Sequence, residues 1–502
     1  MNTPNWIGRS VSKLLPASKI QSSRPSAPVK SSSSAIQNEV DGAPRKAPPT
    51  RAADRGGRTT GQRLAATLRQ EGEALSPRRL RRILQDLQAI IDAKVSEVEG
   101  GRRAQALAQW YRKASPAERQ DCWRLMSEQF VLDPQKARAA QAQYAAAVGT
   151  PAAAAAEVRL RRATVSPRRR LLQRFSAMPD GIRFLVNLRA ELLPHLKATQ
   201  ALDALDVEME YMFSTWFDVG FLALRRISWD SPASLLEKLI QYEAVHAIRS
   251  WADLKNRLDS DRRCYGFFHP QLPDEPLIFV EVALLHEMAG GITPLLDESA
   301  DADDPQKATT AIFYSISNTQ AGLRGVSFGD SLIKRVVDAL KEEFPRLRTF
   351  ATLSPIPGLR AWLSKNLARR LALLDDKRRA ALAVELGCDA PTPEQVFSRA
   401  DQPLTLAPDS AVRLLLMQGT AAYLGQAMQE GTPLDPVARF HLGNGARVER
   451  LNWAGDPSPK GLKQSYGIMV NYLYDLKRLD RHRALLTQGK VAMSGAVEAL
   501  LS

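Results

Sequence analysis

The chain has 502 residues, 44% hydrophobic and 25% charged, ordinary proportions for a globular protein with at least one full-sized core. No run reaches the roughly 18 apolar residues of a membrane helix, and the three cysteines, Cys122, Cys264 and Cys388, are too scattered for a disulfide framework or a cysteine zinc site. A net charge of +15 leaves nucleic-acid binding, an anionic substrate or a basic tail as readings.

Location narrows that choice. Much of the excess charge sits in residues 1–84, including Arg45, Lys46, Arg51, Arg55 and Arg58, then Arg78, Arg79, Arg81 and Arg82. A nucleic-acid partner is therefore not expected for the rest of the chain. Residues 1–68 combine Ser, Pro, Lys and Arg with few large apolar side chains and cannot bury enough surface to offset chain entropy. They read as a disordered basic extension in preference to a transit peptide. The end, Ala-Leu-Leu-Ser, lacks the peroxisomal Ser-Lys-Leu address. A cytoplasmic, reducing compartment is the simplest expectation.

Residues 69–222 have a helical pattern. Leu80, Ile83, Leu84, Leu87, Ile90 and Ile91 recur at the three-and-four spacing of an amphipathic helix. Ser-Pro pairs at Ser76, Ser115, Ser166 and Ser231 are read as helix starts, with Ser as cap and Pro at the first helical position. Ser115 and Glu118 fit a capping box. The Ala152–Ala156 run is read as helix or a helix-flanking linker.

From 223 to 502 the pattern is mixed α/β. Strands are expected at Pro276–Leu284, Ala311–Ser317, Arg348–Leu353, Ala446–Trp453 and Tyr466–Tyr474. A helix is expected over Ser331–Phe344, and a helical insert runs to about 430. Between strand and helix lies Gln320-Ala-Gly-Leu-Arg-Gly-Val-Ser-Phe-Gly-Asp330. Gly322, Gly325 and Gly329 permit unusual backbone angles and close ligand approach. The loop amides and the following helix start favour a pyrophosphate, with Arg324 adding charge. The plain alternative is a strand-to-helix turn, because neither G-x-G-x-x-G nor a Walker lysine is present. Gly329-Asp330-Ser331-Leu332 also spells a serine-esterase tetrapeptide, but Asp480-Arg481-His482 has the wrong spacing, and Ser331 reads as an early helix residue.

Several ordered segments resemble the malonyl-CoA decarboxylase family: Phe313–Ser317, Gln320–Lys334, Leu353-Ser-Pro-Ile-Pro-Gly358, Phe440-His-Leu-Gly-Asn-Gly445, Asn452-Trp453 and Gly467–Tyr472 with Tyr474. The resemblance spans roughly 223–475. It implies an α+β architecture in which an all-helical, oligomerisation-type domain precedes a catalytic domain of GNAT-like acyltransferase fold. It further implies a lyase of fatty acid metabolism acting on malonyl-CoA, a homo-oligomer, and a coenzyme A loop formed by Arg324, Gly325, Val326, Ser327, Phe328, Gly329 and Asp330. The family's catalytic serine and histidine fall on Ser354 and His441, both also substrate-binding, and Tyr474 matches a tyrosine near its active site. Ser327 departs from the acidic residue some members carry in the loop.

The chemistry suits those residue types. Loss of carbon dioxide from a malonyl thioester leaves an enolate, which needs hydrogen-bond donors at its oxygen and a proton at its carbon. The thioester is the electron sink, so no cofactor is expected, and no H-E-x-x-H-type cluster suggests a metal. From the residues alone, Ser354 before Pro355 reads as another helix cap, His441 as a turn or core histidine, and Tyr474 as packing. A coenzyme A-dependent acyltransferase, and a binding protein using the basic extension, remain the alternative functions.

Overall fold

The computed structural model describes residues 75–326 and 332–501. The expected basic extension 1–68 lies outside them, as do Ser327, Phe328, Gly329, Asp330 and Ser331. No described helix is long and apolar enough to cross a membrane.

Among the described residues eight α-helices come first: α1 (Pro77–Ile91), α2 (Glu97–Lys113), α3 (Pro116–Glu128), α4 (Pro134–Ala147), α5 (Ala153–Thr164), α6 (Pro167–Ser176), α7 (Gly181–Leu192) and α8 (Asp203–Trp216). In α1 the apolar stripe buries Leu80, Ile83, Leu87 and Ile90. The Ser-Pro starts at Ser76, Ser115 and Ser166 are side-chain caps, and Ser115 and Glu118 close the capping box. Ser231 departs from that reading. The helix after it, α9 (Ala233–Tyr242), begins after Pro232 without a side-chain cap, and Ser231 Oγ instead accepts from the Ser228 amide.

An eight-stranded mixed sheet follows, in the order β1-β2-β3-β4-β5-β10-β6 with β9 beside β10. Its first half is antiparallel: β1 (Ala223–Ile227), β2 (Arg262–His269), β3 (Leu272–Leu285) and β4 (Thr310–Asn318). The short α10 (Trp251–Asn256) precedes β2, and α11 (Leu332–Glu343) connects β4 to β5 (Thr349–Thr352). These two strands are parallel, paired from Thr310↔Thr349 to Phe313↔Thr352. A crossover helix is the usual way to join parallel neighbours.

Beyond Phe313 the pair separates. β4 continues to Asn318, while the chain after Thr352 enters β6 (Ser354–Pro355), which pairs with β10 (Met469–Leu473) through Val470↔Ser354. A bulge sets in at the same level, where β3 steps from Glu281 to Val282 as β4 steps from Ser315 to Phe313. Tyr314 is the extra residue, and such a bulge re-aims the side chains next to it. An antiparallel sheet running into a parallel pair that splays is the GNAT-like arrangement expected of this half.

The helical insert comprises α12 (Leu359–Ala372), α13 (Asp376–Leu386), α14 (Pro393–Ala400) and α15 (Ala411–Gln426). A two-strand ribbon, β7 (Met428–Gln429) with β8 (Thr432–Pro433), leads into α16 (Pro436–Gly443). β9 (Arg447–Asn452), α17 (Pro459–Ser465), β10, α18 (Leu479–Thr487) and α19 (Gly495–Glu498) complete the described chain. One hydrophobic cluster runs from Leu75 through the helices, the outer sheet face and the insert to Val497.

Candidate active site

The gap between β4 and β6 opens into a cavity of about 490 Å³. Phe313, Tyr314, Ile316 and Asn318 of β4 line one side, Ser354 and Pro355 the other, and Phe440 and His441 of α16 the end. Val326, the last described residue of the Gly loop, lines it too.

Ser354 does not cap a helix. The next helix starts five residues later, with Gly358 as its N-cap, and Ser354 is held by strand pairing with β10. A Ser-Pro pair therefore carries two meanings in this chain, and only the sheet register separates them. His441 is a helical residue of α16, 3% exposed, rather than a turn histidine. Asp435 starts that helix, its side chain accepting from the amides of Val437 and Ala438. Tyr423 Oη donates to the other Asp435 oxygen at 3.3 Å. Gly358 closes in from the Ser354 side: a Cβ there would sit 2.1 Å from Tyr423 Oη. The segment after Ser354 and the helix bearing His441 are thus packed through one tyrosine–aspartate pair.

Ser354 Oγ lies 3.3 Å from His441 Nε2, and His441 Nδ1 lies 2.8 Å from Tyr474 Oη. Ser354 Oγ also donates to Thr352 Oγ1 at 2.8 Å. These directions are consistent with one tautomer: Tyr474 donates to Nδ1, and Nε2–H donates to Ser354. Tyr472 stacks on the imidazole at 4.7 Å between centroids. Burial pulls His441 down from 6.5 to about 3, so the ring is neutral at neutral pH. Burial raises Tyr474 far above its ordinary value, so it stands as a neutral phenol.

Of the residues singled out in the sequence, Ser354, His441 and Val326 meet at this cavity, and Tyr474 reaches it through His441. Tyr474 itself lines a smaller, adjoining cavity of about 220 Å³, with Asn444 common to both. Arg324 and Gly325 sit on the exposed side of the loop, outside the lining. Gly325 has φ +82°, the left-handed conformation its residue type suits. Gly322 serves a different purpose from the one expected. A Cβ there would lie 1.9 Å from the Val186 carbonyl oxygen, so what approaches closely is the backbone of α7 rather than a ligand. The sequence reading missed Thr352, Tyr472 and Asp435. Asp435-Pro436 has the same cap-then-proline form as the Ser-Pro pairs and was the available signal.

A family model described as the malonyl-CoA decarboxylase C-terminal domain matches residues 220–502, and one described as the N-terminal domain matches residues 130–217. Two relatives named malonyl-CoA decarboxylase, mitochondrial, come from Anser anser anser (40% identical over 328 residues) and Mus musculus (39% over 341). The matches cover 62% and 64% of this chain and 65% and 68% of those proteins, about two thirds of their length. Crystal structures of malonyl-CoA decarboxylase from Rhodopseudomonas palustris (41% identity, TM-score 0.71) and Cupriavidus metallidurans (43%, 0.69) each match 84% of this chain, covering 99% and 100% of theirs. The family match to residues 220–502 takes in more than half of the chain and all of the splayed site, and the chain belongs to the malonyl-CoA decarboxylase family.

Proposed function

We propose that the protein converts malonyl-CoA to acetyl-CoA and carbon dioxide at the Ser354–His441 pair. The observation that carries the reading is the hydrogen-bonded line Ser354–His441–Tyr474 at the buried end of the β4–β6 gap. In the reaction the bond between the carboxylate carbon and the adjacent carbon breaks. Its electron pair passes into the thioester as an enolate, and carbon dioxide leaves. Nε2–H of His441 gives its proton to the carbon, and Tyr474 stands behind Nδ1 to hold the ring and pass a proton from outside. Ser354 orients the departing carboxylate or shares the relay. One proton is consumed per turnover, which the solvent replaces. A pocket lined mostly by apolar side chains around a neutral imidazole favours the step, because the carboxylate loses its charge as carbon dioxide forms.

The loop Arg324–Asp330, its last four residues outside the described structure, is proposed to hold the coenzyme A pyrophosphate. Incubation with malonyl-CoA alone is the test: acetyl-CoA must form with no acyl acceptor present. Turnover only on adding an amine or thiol acceptor would replace the decarboxylase by an acyltransferase. A homo-oligomer is proposed on the resemblance of the helical part to the family's oligomerisation-type helical domain; a monomeric mass by light scattering would refute it. A reducing, cytoplasmic compartment is proposed from the buried thiols Cys122 and Cys264.

A further inference from the structure

We propose that Arg189, on α7 of the helical part, is a positioning residue for substrate binding that sets the backbone over Gly322–Gly325, where the proposed phosphate loop begins. This rests on the proposed coenzyme A role of that loop. Arg189 is 1% exposed. Its Nη1 donates to the carbonyl oxygens of Gly322 and Arg324, both at 2.8 Å, and its Nε donates to Asp206 Oδ1 at 2.7 Å. Asp206, on α8, supplies the counter-charge, and Glu210 Oε2 lies 3.7 Å from Nη2.

The consequence follows from peptide geometry. In a planar trans peptide the C=O and N–H point in opposite directions. Fixing the Arg324 carbonyl on the buried guanidinium therefore turns the Gly325 N–H away from Arg189, toward the exposed side of the loop. The same bonds withdraw two carbonyl dipoles that would otherwise repel a phosphate. Gly322 makes the approach possible, since any Cβ would strike the Val186 carbonyl. Lysine could not reproduce the arrangement, because the guanidinium serves three acceptors from one rigid plane. The helical part thereby acts on substrate binding through the loop backbone, without lining the cavity itself.

The test compares two substrates that share the reacting group. Malonyl-CoA carries the pyrophosphate; the malonyl thioester of N-acetylcysteamine does not. Arg189→Met is expected to raise KM for malonyl-CoA by about 10-fold or more, the scale of lost hydrogen bonds to a charged group, with kcat within about 3-fold. Its kcat/KM on the short thioester is expected to stay close to that of the unaltered chain. Equal losses on both substrates, or an unchanged KM for malonyl-CoA, overturn the proposal. Should Arg189→Met fail to fold, Arg189→Lys keeps the charge and loses the fork, and the same pair of outcomes decides. Calorimetric titration with coenzyme A separates this inference from the decarboxylase reading. Weakened binding in the variant, alongside no malonyl-CoA turnover by the unaltered chain, would uphold the clamp and remove the decarboxylase.

Discussion

At the scale of single residues, His441 combines full burial with two polar neighbours and, among the described residues, no cation or carboxylate bonded to its ring. Replacing it with Ala is expected to lower turnover by about 100-fold or more, the range of general acid catalysis; near-normal turnover of malonyl-CoA would remove it from the mechanism. Burial also ties the residue to acid stability. The unfolded chain binds a proton at His441 near 6.5, whereas the folded chain resists it until about 3. The unfolded state therefore holds more protons across that window, and stability falls as pH drops through it. His441→Asn removes this contribution. Urea unfolding at about pH 7 and about pH 5 should find the variant losing less stability than the unaltered protein between the two. An equal loss in both would mean that the ring takes up its proton without unfolding. None of this was legible from residue 441 alone: its serine partner lies 87 residues away. Sequence reasoning reached the pair only through the family resemblance, since several serines precede prolines and six histidines were available.

At the scale of elements, strands and helices with a strong local pattern were readable and those without it were not. The apolar run in β3 and the periodic helix α11 stood out. β1 and β2 escaped notice. β1 is largely exposed, and β2 is buried throughout yet opens with Arg262 and Arg263, whose charges are met by the neighbouring Asp261 and by Glu343 at the end of α11. Arg189 follows the same rule. It sits in register with the buried Ile182, Leu185 and Leu192 of α7, and only Asp206 of α8 together with the distant carbonyls of the Gly loop explains a cation there. The cap of α16 offers a test at this scale. Asp435→Ala should cost about 1 kcal/mol for the cap alone and more for the stranded Tyr423 hydroxyl, read as a lower melting temperature. Because α16 carries His441, kcat should fall by roughly 10-fold with less change in KM. A drop in melting temperature with unaltered kcat would show that helix start and imidazole are not coupled.

At the scale of the whole molecule, the helical part and the sheet share their packing. One continuous cluster joins Leu87, Leu125 and Leu185 of the helices to Val280, Phe313 and Val336 of the sheet half and to Leu416 of the insert. Calorimetry should accordingly give a single unfolding transition for the body from residue 75 onward; two separated peaks would mean that the shared core is not cooperative. Composition foretold a core of this size but not its continuity, because the contacts that join the two halves are spread over residues far apart in the chain.

The strand β10 has a bearing on how this site tolerates change. Its neighbour pairing holds Ser354, while Tyr472 and Tyr474, two residues apart, both turn to His441. A conservative replacement at any one of these positions leaves the others in place. An inserted or deleted residue between Met469 and Tyr474 shifts the alternation by one and exchanges both tyrosines for their opposite-facing neighbours. Length, more than composition, is what this stretch must preserve.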